Sequence, residues 1–261
     1  MIIQAQKANT HMSLGISISS LAKSFDGKAV LKDVSLTLPA GRSTVLIGPS
    51  ACGKSVLVRC ILGLMSIDGG EIRIGDKPFN QTFNESERIG VLFQQNALFD
   101  SMTVWENVAF PLINTHGLSR RLARDRAIDK LSEVSLSSDI AMLYPVELSG
   151  GMQKRAAVAR AMVGDPNLLI LDDPTAGLDP VLTNMILDLI ESSIANTGAT
   201  VLAITGDMAA ARSRFERIAM LYDGVIRWSG DSVDAEAAED PYLRQMLEGR
   251  AEGPIQMRIS D

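Results

Sequence analysis

The stretch Gly48-Pro49-Ser50-Ala51-Cys52-Gly53-Lys54-Ser55 follows the short apolar run Thr44-Val45-Leu46-Ile47 and precedes Val56-Leu57-Val58-Arg59-Cys60-Ile61-Leu62. Strand, glycine-containing loop and helix in this order imply an α/β fold in which a buried strand feeds the loop. The spacing G-x-x-x-x-G-K-S is that of a phosphate-binding loop. Its backbone N–H groups point inward at phosphate oxygens, and a helix N-terminus adds its positive dipole. Gly48 to Val56 would then cradle a nucleotide, with Lys54 reaching the β- and γ-phosphates and the Ser55 hydroxyl ligating the Mg²⁺ that bridges them. A glycine turn meets this spacing by chance in roughly one chain in a hundred of this length. The flanking strand and helix reduce that further, so nucleotide binding is the premise for the rest of the chain.

At 261 residues the chain has room for one large α/β domain or two small ones, and 46% hydrophobic content is ample for a core. The net charge of -6, with no run of Lys or Arg, argues against a nucleic-acid-coating surface. The two cysteines, Cys52 and Cys60, have neither metal-binding nor disulfide spacing and read as reduced cytosolic thiols. Cys52 lies beside Lys54 and a helix N-terminus, a setting that can lower a thiol pKa, so a redox-active thiol is the alternative. Met1 to Leu14 lacks the apolar core of a signal peptide, and no stretch approaches eighteen consecutive apolar residues. The expectation is a soluble, cytoplasmic chain that meets a membrane only through a partner.

Along the chain, Ile16-Ser17-Ile18 and Val34-Ser35-Leu36-Thr37-Leu38 alternate apolar and polar residues about an Asp26-Gly27 turn, which predicts an antiparallel layer. Phe25, just before that turn, is either a purine-stacking ring or a core phenylalanine. Gly70 to Gly75 suggests another strand, and Ile89 to Phe93 a buried one that delivers Gln94 and Gln95 into a loop. From Thr103 the pattern turns helical: Val104–Asn114, Arg120–Val134, and a third helix from near Gly150 to about Gly164. Ser149-Gly150-Gly151 sits at the start of that third helix, where free N–H groups can hold a second phosphate or simply cap a turn. The apolar strand Leu168-Leu169-Ile170-Leu171 ends in Asp172-Asp173-Pro174, a placement suited to Mg²⁺ because ligands gather at the carboxyl ends of parallel strands. A helix over Pro180–Ser193, a strand over Ala199–Thr205, a hairpin across Asp223-Gly224 and an acidic helix over Ala235–Leu247 complete the expected elements.

The order and spacing of these features resemble the ATP-binding subunit of an ABC transporter over nearly the whole chain. Phe25 matches the aromatic A-loop, Gly48–Ser55 the Walker A loop and Gln94 the Q-loop. Leu148-Ser149-Gly150-Gly151-Met152 matches the signature motif, with Met152 where glutamine is commoner. Leu168–Asp172 looks like Walker B, and Ala176-Gly177-Leu178-Asp179 like the D-loop. The resemblance implies a P-loop NTPase, an ABC-type nucleotide-binding domain over residues 14–249. It would carry an antiparallel β subdomain and a helical subdomain inserted at about 103–165, with a short tail over 250–261. The tail, mixed in charge and containing Gly253-Pro254, is expected to pack on a partner or a second protomer.

Two departures from the family pattern stand out. Asp173 replaces the glutamate that polarises the attacking water, keeping the carboxylate with one methylene less reach. Thr205-Gly206-Asp207 stands where the family has a histidine before aspartate, and neither His11 nor His116 is placed to substitute. Losing one hydrogen-bond donor to developing charge costs roughly 2.7 to 4 kcal/mol.

The resemblance further implies a homodimer in which ATP on one Walker A loop is closed over by Ser149, Gly150 and Gly151 of the other copy. Ser55, Gln94 and Asp172 would surround Mg²⁺, with Asp173, Gln94 and Lys54 as the catalytic set. Phe99, Met102, Trp105 and Phe110 either line a groove for a helix of an integral membrane permease or pack the core of the helical block. Within the family, Leu92–Val104, Glu147–Arg155 and Leu247–Ile255 resemble the ATPase of MCE-associated, Mla-type phospholipid transporters. That implies a peripheral subunit at the inner face of a Gram-negative inner membrane, partnered by an MCE-domain substrate-binding protein and moving phospholipid; Asp173 and Gly206 make slow turnover the expectation. The alternative is an ATP-gated regulatory or scaffolding subunit with little hydrolysis. A translation or DNA-repair protein of the family fits less well, since the chain has one cassette and no basic surface signal.

Overall fold

Residues 13–75, 77–78 and 88–256 are described by the structure, a computed structural model. Strands β1 (Ile16–Phe25) and β2 (Lys28–Leu38) form the expected antiparallel hairpin, with Asp26 at φ 50° and Gly27 at φ 77°. Two consecutive positive φ values make the tight turn whose twist matches that of the flanking strands. Next come β3 (Ser43–Ile47), α1 (Lys54–Ile61), β4 (Gly69–Ile74), β5 (Lys77–Pro78) and β6 (Ile89–Leu92). Helices α2 (Val104–Asn114), α3 (Arg120–Glu133) and α4 (Gly150–Met162) make the helical block, with 3-10 turns at Ser138–Met142 and Pro145–Glu147 between α3 and α4. The chain then alternates β7 (Leu168–Asp172), α5 (Pro180–Thr197), β8 (Thr200–Ile204) and α6 (Met208–Arg214), and continues with β9 (Arg217–Tyr222), β10 (Val225–Asp231), α7 (Ser232–Ala235) and α8 (Pro241–Glu248).

The ten strands among the described residues lie in one sheet of order β5-β4-β1-β2-β10-β9-β3-β8-β7-β6. The half containing β9, β3, β8, β7 and β6 is parallel, and the β5-β4-β1-β2 half is antiparallel. Every residue of β3, β7 and β8 is buried, because the strands of a parallel sheet are covered on both faces. Alternate residues of these strands supply two cores. Val45, Leu171 and Val201 face the helical block; Leu46, Ile170 and Leu202 face α1 and the antiparallel strands.

Local chemistry fixes the helix ends. The Asp179 carboxylate accepts from the N–H groups of Val181 and Leu182 with Pro180 in the first turn, and Gly198 at φ 67° ends α5. At α2 the Glu106 carboxylate accepts from the Thr103 N–H (2.9 Å) and Oγ–H (2.8 Å). These bonds, and Arg120 beside it, hold the Glu106 carboxyl below the ordinary glutamate range.

The C-terminal segment differs from expectation. One helix over Ala235–Leu247 is replaced by two short ones, because Pro241 bars Asp240 from helical backbone and the Asp240 side chain caps α8 by accepting from Leu243 N–H. The tail packs on its own chain over 250–256. Gln245 Nε2 donates to the carbonyls of Arg250 and Ile255, and its Oε1 accepts from Ile255 N–H at 2.7 Å. Residues 257–261 of the expected tail lie outside the described residues, as does His11. Among the described residues no helix is long and apolar enough to cross a membrane.

Candidate active site

The loop between β3 and α1 has a backbone that side chains resist. Gly48 is at φ 153°, and a Cβ there would lie 2.2 Å from the Leu221 carbonyl oxygen. Gly53, at φ 107°, would meet the side chains of Leu31 at 3.0 Å and Val30 at 3.2 Å. No side chain caps the start of α1, so its first-turn N–H groups face the loop interior, as an anion site requires. Lys54 Nζ donates to the carbonyls of Gly48 (2.7 Å) and Pro49 (2.8 Å), which holds the ammonium over the loop. Cys52 departs from the redox-active alternative: burial pushes its thiol pKa up, against the opposing charge of Lys54.

The other wall comes from the carboxyl ends of neighbouring parallel strands. Ser55 Oγ donates to Asp172 Oδ2 at 3.2 Å, joining two candidate oxygen ligands separated by 117 residues of sequence. Asp172 is buried at the end of β7. No group of three His, Cys, Asp or Glu side chains forms a metal cage among the described residues. One hydroxyl and one carboxylate fit Mg²⁺, which keeps waters and takes further ligands from substrate phosphates. Gln94 leaves β6, whose Leu92 pairs with Leu171 beside Asp172. Its side chain is exposed and makes no hydrogen bond among the described residues, so the structure brings Ser55 and Asp172 together but leaves Gln94 unattached to them.

Asp173 is half-buried at φ 57°, a left-handed conformation rare outside glycine, asparagine and aspartate. Its N–H donates to the Ile204 carbonyl at 2.9 Å, and its own carbonyl accepts from Lys154 Nζ at 3.1 Å. Burial raises the Asp173 carboxyl pKa, Lys154 and Lys54 oppose that rise, and Asp172 and Asp207 add to it. Beyond Asp173 opens a cleft of about 360 Å³ lined by Thr175, Thr183, Thr205, Gly206 and Asp207 among others. A Cβ at Gly206 would meet nothing within 4 Å. The Asp207 carboxylate is engaged in capping α6 through Ala209 N–H and Ala210 N–H. His116 packs against Gly164 in the helical block, where burial lowers its pKa.

Other candidates fall on separate surfaces. Ser149 caps α4, its Oγ accepting from Met152 N–H at 3.3 Å, and Gly150 faces open space. Helix α4 packs on β6, which β7 and β8 separate from β3, about 14 Å across the sheet. Among the described residues no hydrogen bond joins Ser149–Gly151 to the phosphate loop of its own chain. Phe25 is 41% exposed, which removes the core alternative for this ring. It pairs with Lys28 at the hairpin end, two residues before the Val30 that abuts Gly53. Trp105, by contrast, is 5% exposed and packs in the core with Arg120 stacked on it, while Phe99 is 42% exposed against Phe110.

Three residues that motif reading passed over support this wall. Arg160 on α4 donates to the carbonyls of Asn96 (2.8 Å) and Ala97 (2.7 Å), both left-handed residues after Gln94. The buried Asn107 accepts from Phe99 N–H and donates to the carbonyls of Phe99, Met102 and Thr103. Lys154, 5% exposed, donates to the Asp173 carbonyl and, at 3.5 Å, to that of Gln94. Burial lowers its pKa, and Asp173 and Asp172 oppose that. The available signal is periodicity: Lys154 occupies the same helix face as Ala157, Val158 and Ala161, where only an apolar side chain is expected.

Comparison with known proteins agrees with this geometry. Residues 31–176 match the family described as ABC transporter. The chain is 38% identical over 251 residues to the probable ribonucleotide transport ATP-binding protein mkl of Mycobacterium tuberculosis, covering 94% of this chain and 70% of that protein. It is 35% identical over 236 residues to the intermembrane phospholipid transport system ATP-binding protein MlaF of Escherichia coli, covering 88% of this chain and 87% of that protein. Among solved structures, the dimeric post-hydrolysis state of an ATP-binding cassette bound to ADP and Pi superposes with TM-score 0.78 at 30% identity, over 83% of this chain and 98% of that one. With a phosphate loop, an acid-terminated central strand and a helical block in the order the resemblance requires, the chain belongs to the ABC transporter family as an ATP-binding subunit.

Proposed function

We propose that the chain is the ATP-hydrolysing motor of a transporter that moves phospholipid between the inner and outer membranes of a Gram-negative bacterium. The observation that carries the motor reading is the Ser55–Asp172 hydrogen bond, which assembles a metal-binding pair beside a preformed phosphate loop. Similarity to the phospholipid subunit, of which the chain covers 87%, supports the cargo. The ribonucleotide named for the mycobacterial relative is the competing cargo, and the chain covers 70% of that protein.

In this reading Phe25 stacks on the adenine, Gly48–Val56 surrounds the phosphates, and Lys54 pairs with the β- and γ-phosphates. Ser55, Asp172 and Gln94 hold Mg²⁺, and Asp173 takes the proton of the attacking water. Mg²⁺ held by these residues would supply positive charge to offset that of the nucleotide phosphates. Ser149–Gly151 of a second copy completes each site, so the chain works as a homodimer whose closure on ATP shifts a membrane permease between states. The dimeric cassette supports that geometry. An MCE-domain protein is the expected substrate-binding partner, and the subunit sits at the cytoplasmic face of the inner membrane. Turnover is slow, because Asp173 has short reach and Gly206 supplies no donor.

The test is phospholipid transfer from proteoliposomes that hold the permease and this subunit. Transfer that requires ATP and is lost in Lys54→Ala supports the motor; ribonucleotide uptake in its place assigns the other cargo. The open space at Gly206 favours one further reading, an ATP-gated regulatory subunit. Wild-type transfer by Asp173→Asn, with ATP-dependent dimerisation intact, would establish that reading over the motor.

A further inference from the structure

Lys154 makes contacts that its place on the signature helix does not explain. Its ammonium has three donors. One reaches the Asp173 carbonyl at 3.1 Å and another that of Gln94 at 3.5 Å, so one side chain ties together α4, the turn after β7 and the loop after β6. Taking a charge out of water is costly, and a buried ion exchanged for an apolar side chain of similar volume is often neutral or stabilising. Methionine has comparable length, so stability alone gives no reason for a lysine that is 5% exposed.

The residues it holds are the ones whose placement decides hydrolysis. Asp173 has the left-handed backbone, at φ 57°; its N–H donates to Ile204, and its carbonyl accepts from Ala176 N–H within the same turn at 3.4 Å and from Lys154 at 3.1 Å, so Lys154 supplies the shorter bond to that carbonyl and the one from another element. Strained backbone of this kind persists where the surroundings over-determine it. The Gln94 side chain makes no hydrogen bond among the described residues, and its carbonyl is tied to Lys154 while Arg160, six residues further along α4, grips the carbonyls of Asn96 and Ala97. Helix α4 thus holds the segment 94–97 and the Asp173 turn from one side.

We propose that Lys154 is a positioning residue for hydrolysis, whose ammonium fastens the backbone of Gln94 and Asp173 to α4 so that the start of that helix and these two residues move as one unit. The inference rests on the motor reading, in which Ser149–Gly151 at the helix start receives the nucleotide of the partner copy. Engagement of that nucleotide would then set Asp173 and Gln94 in the chain's own site through a single side chain.

Hydrogen–deuterium exchange on the nucleotide-free protein, with steady-state hydrolysis in parallel, tests this in Lys154→Met and Lys154→Gln. In Lys154→Met, exchange rises in peptides covering 92–97 and 171–176 and stays unchanged in α2. The kcat falls about a hundredfold while KM for ATP holds within about twofold. Lys154→Gln keeps two amide donors without the charge and recovers most of both losses; it also carries the test if Lys154→Met fails to fold. Unchanged exchange in the two peptides overturns the proposal. So does exchange that rises equally in α2, or a KM that rises as far as kcat falls, since either assigns Lys154 to general packing. A wild type that binds ATP without hydrolysing it refutes the motor reading alone, and the exchange arm still decides for Lys154.

Discussion

The loop at Gly48–Ser55 and the cleft at Gly206 follow the adjacent parallel strands β3 and β8, yet one is tightly specified and the other is open. Gly48 has no room for a methyl group, Gly53 has almost none, and the Lys54 ammonium already sits on two loop carbonyls. Across the site a Cβ at Gly206 would touch nothing, and the nearby Asp207 carboxylate is engaged in capping a helix. A side chain at Gly48 or Gly53 is therefore expected to distort the loop. The cutting wall has space in which function can be gained. In the motor reading, the carboxylate of Asp173 and the open position at Gly206 govern speed of hydrolysis more than affinity for nucleotide, which the loop governs.

The largest expected effect separates the two walls directly. Asp173→Asn removes the carboxylate but keeps the side-chain volume, and should lower kcat by about a thousandfold. ATP affinity, read with a fluorescent analogue, should stay within about twofold. A parallel loss of affinity would merge the two walls into one. Next comes Lys54→Ala, which deletes a charged donor to phosphate and should weaken ATP binding by about 3 kcal/mol, roughly a hundredfold. Melting temperature without nucleotide should change little, since the lysine's hydrogen bonds among the described residues, to the Gly48 and Pro49 carbonyls and the Cys52 sulfur, all stay within its own loop.

How much of this was legible in the sequence follows the same division. The spacing of Gly48, Gly53, Lys54 and Ser55 announces the binding wall because its backbone conformations demand particular residues at fixed intervals. The runs Leu168–Asp172 and Thr200–Ile204 announce the central strands because both of their faces are buried. The contacts of Lys154, Arg160 and Asn107 were not legible. All three act on backbone carbonyls, which carry no residue identity, and their partners lie up to 64 positions away. The break before Pro241 was written in the chain, but the acidic, apolar-periodic run from Ala235 masked it. The tail's attachment to Gln245 depends on one buried amide, which composition does not distinguish from a solvated one.

A gain of function sharpens the contrast further. Gly206→His places an imidazole in open space beside Asp173, where a donor to the γ-phosphate is absent, and should raise kcat by about ten- to a hundredfold. Asp173→Glu should add a smaller gain, because the longer side chain recovers reach while a left-handed glutamate is less favourable than a left-handed aspartate. Hydrolysis by wild type, Gly206→His and Asp173→Glu at one common fast rate would refute the link between these residues and slow turnover.

The smallest effect asks whether the proposed slow turnover would come from a loose frame around the cutting wall rather than from its missing groups. Glu106 holds the start of α2, onto which Asn107 pins the loop that follows Gln94. Its carboxyl pKa is lowered in the folded protein, first by the Thr103 N–H, then by the Thr103 hydroxyl and Arg120. A lowered carboxyl pKa means that the unfolded chain binds the proton more tightly. Its stabilisation is complete above the ordinary glutamate range and is lost as pH falls through the folded value. Glu106→Gln should therefore cost about 1 kcal/mol in urea unfolding at pH 7, with the gap to wild type closing as the pH is lowered below about 4. If the frame is sound, kcat of Glu106→Gln stays within about twofold of wild type at pH 7, since a capped helix that is 1 kcal/mol weaker is still folded in nearly every molecule. A tenfold change in kcat would move the origin of slow hydrolysis from Asp173 and Gly206 to the loop behind them.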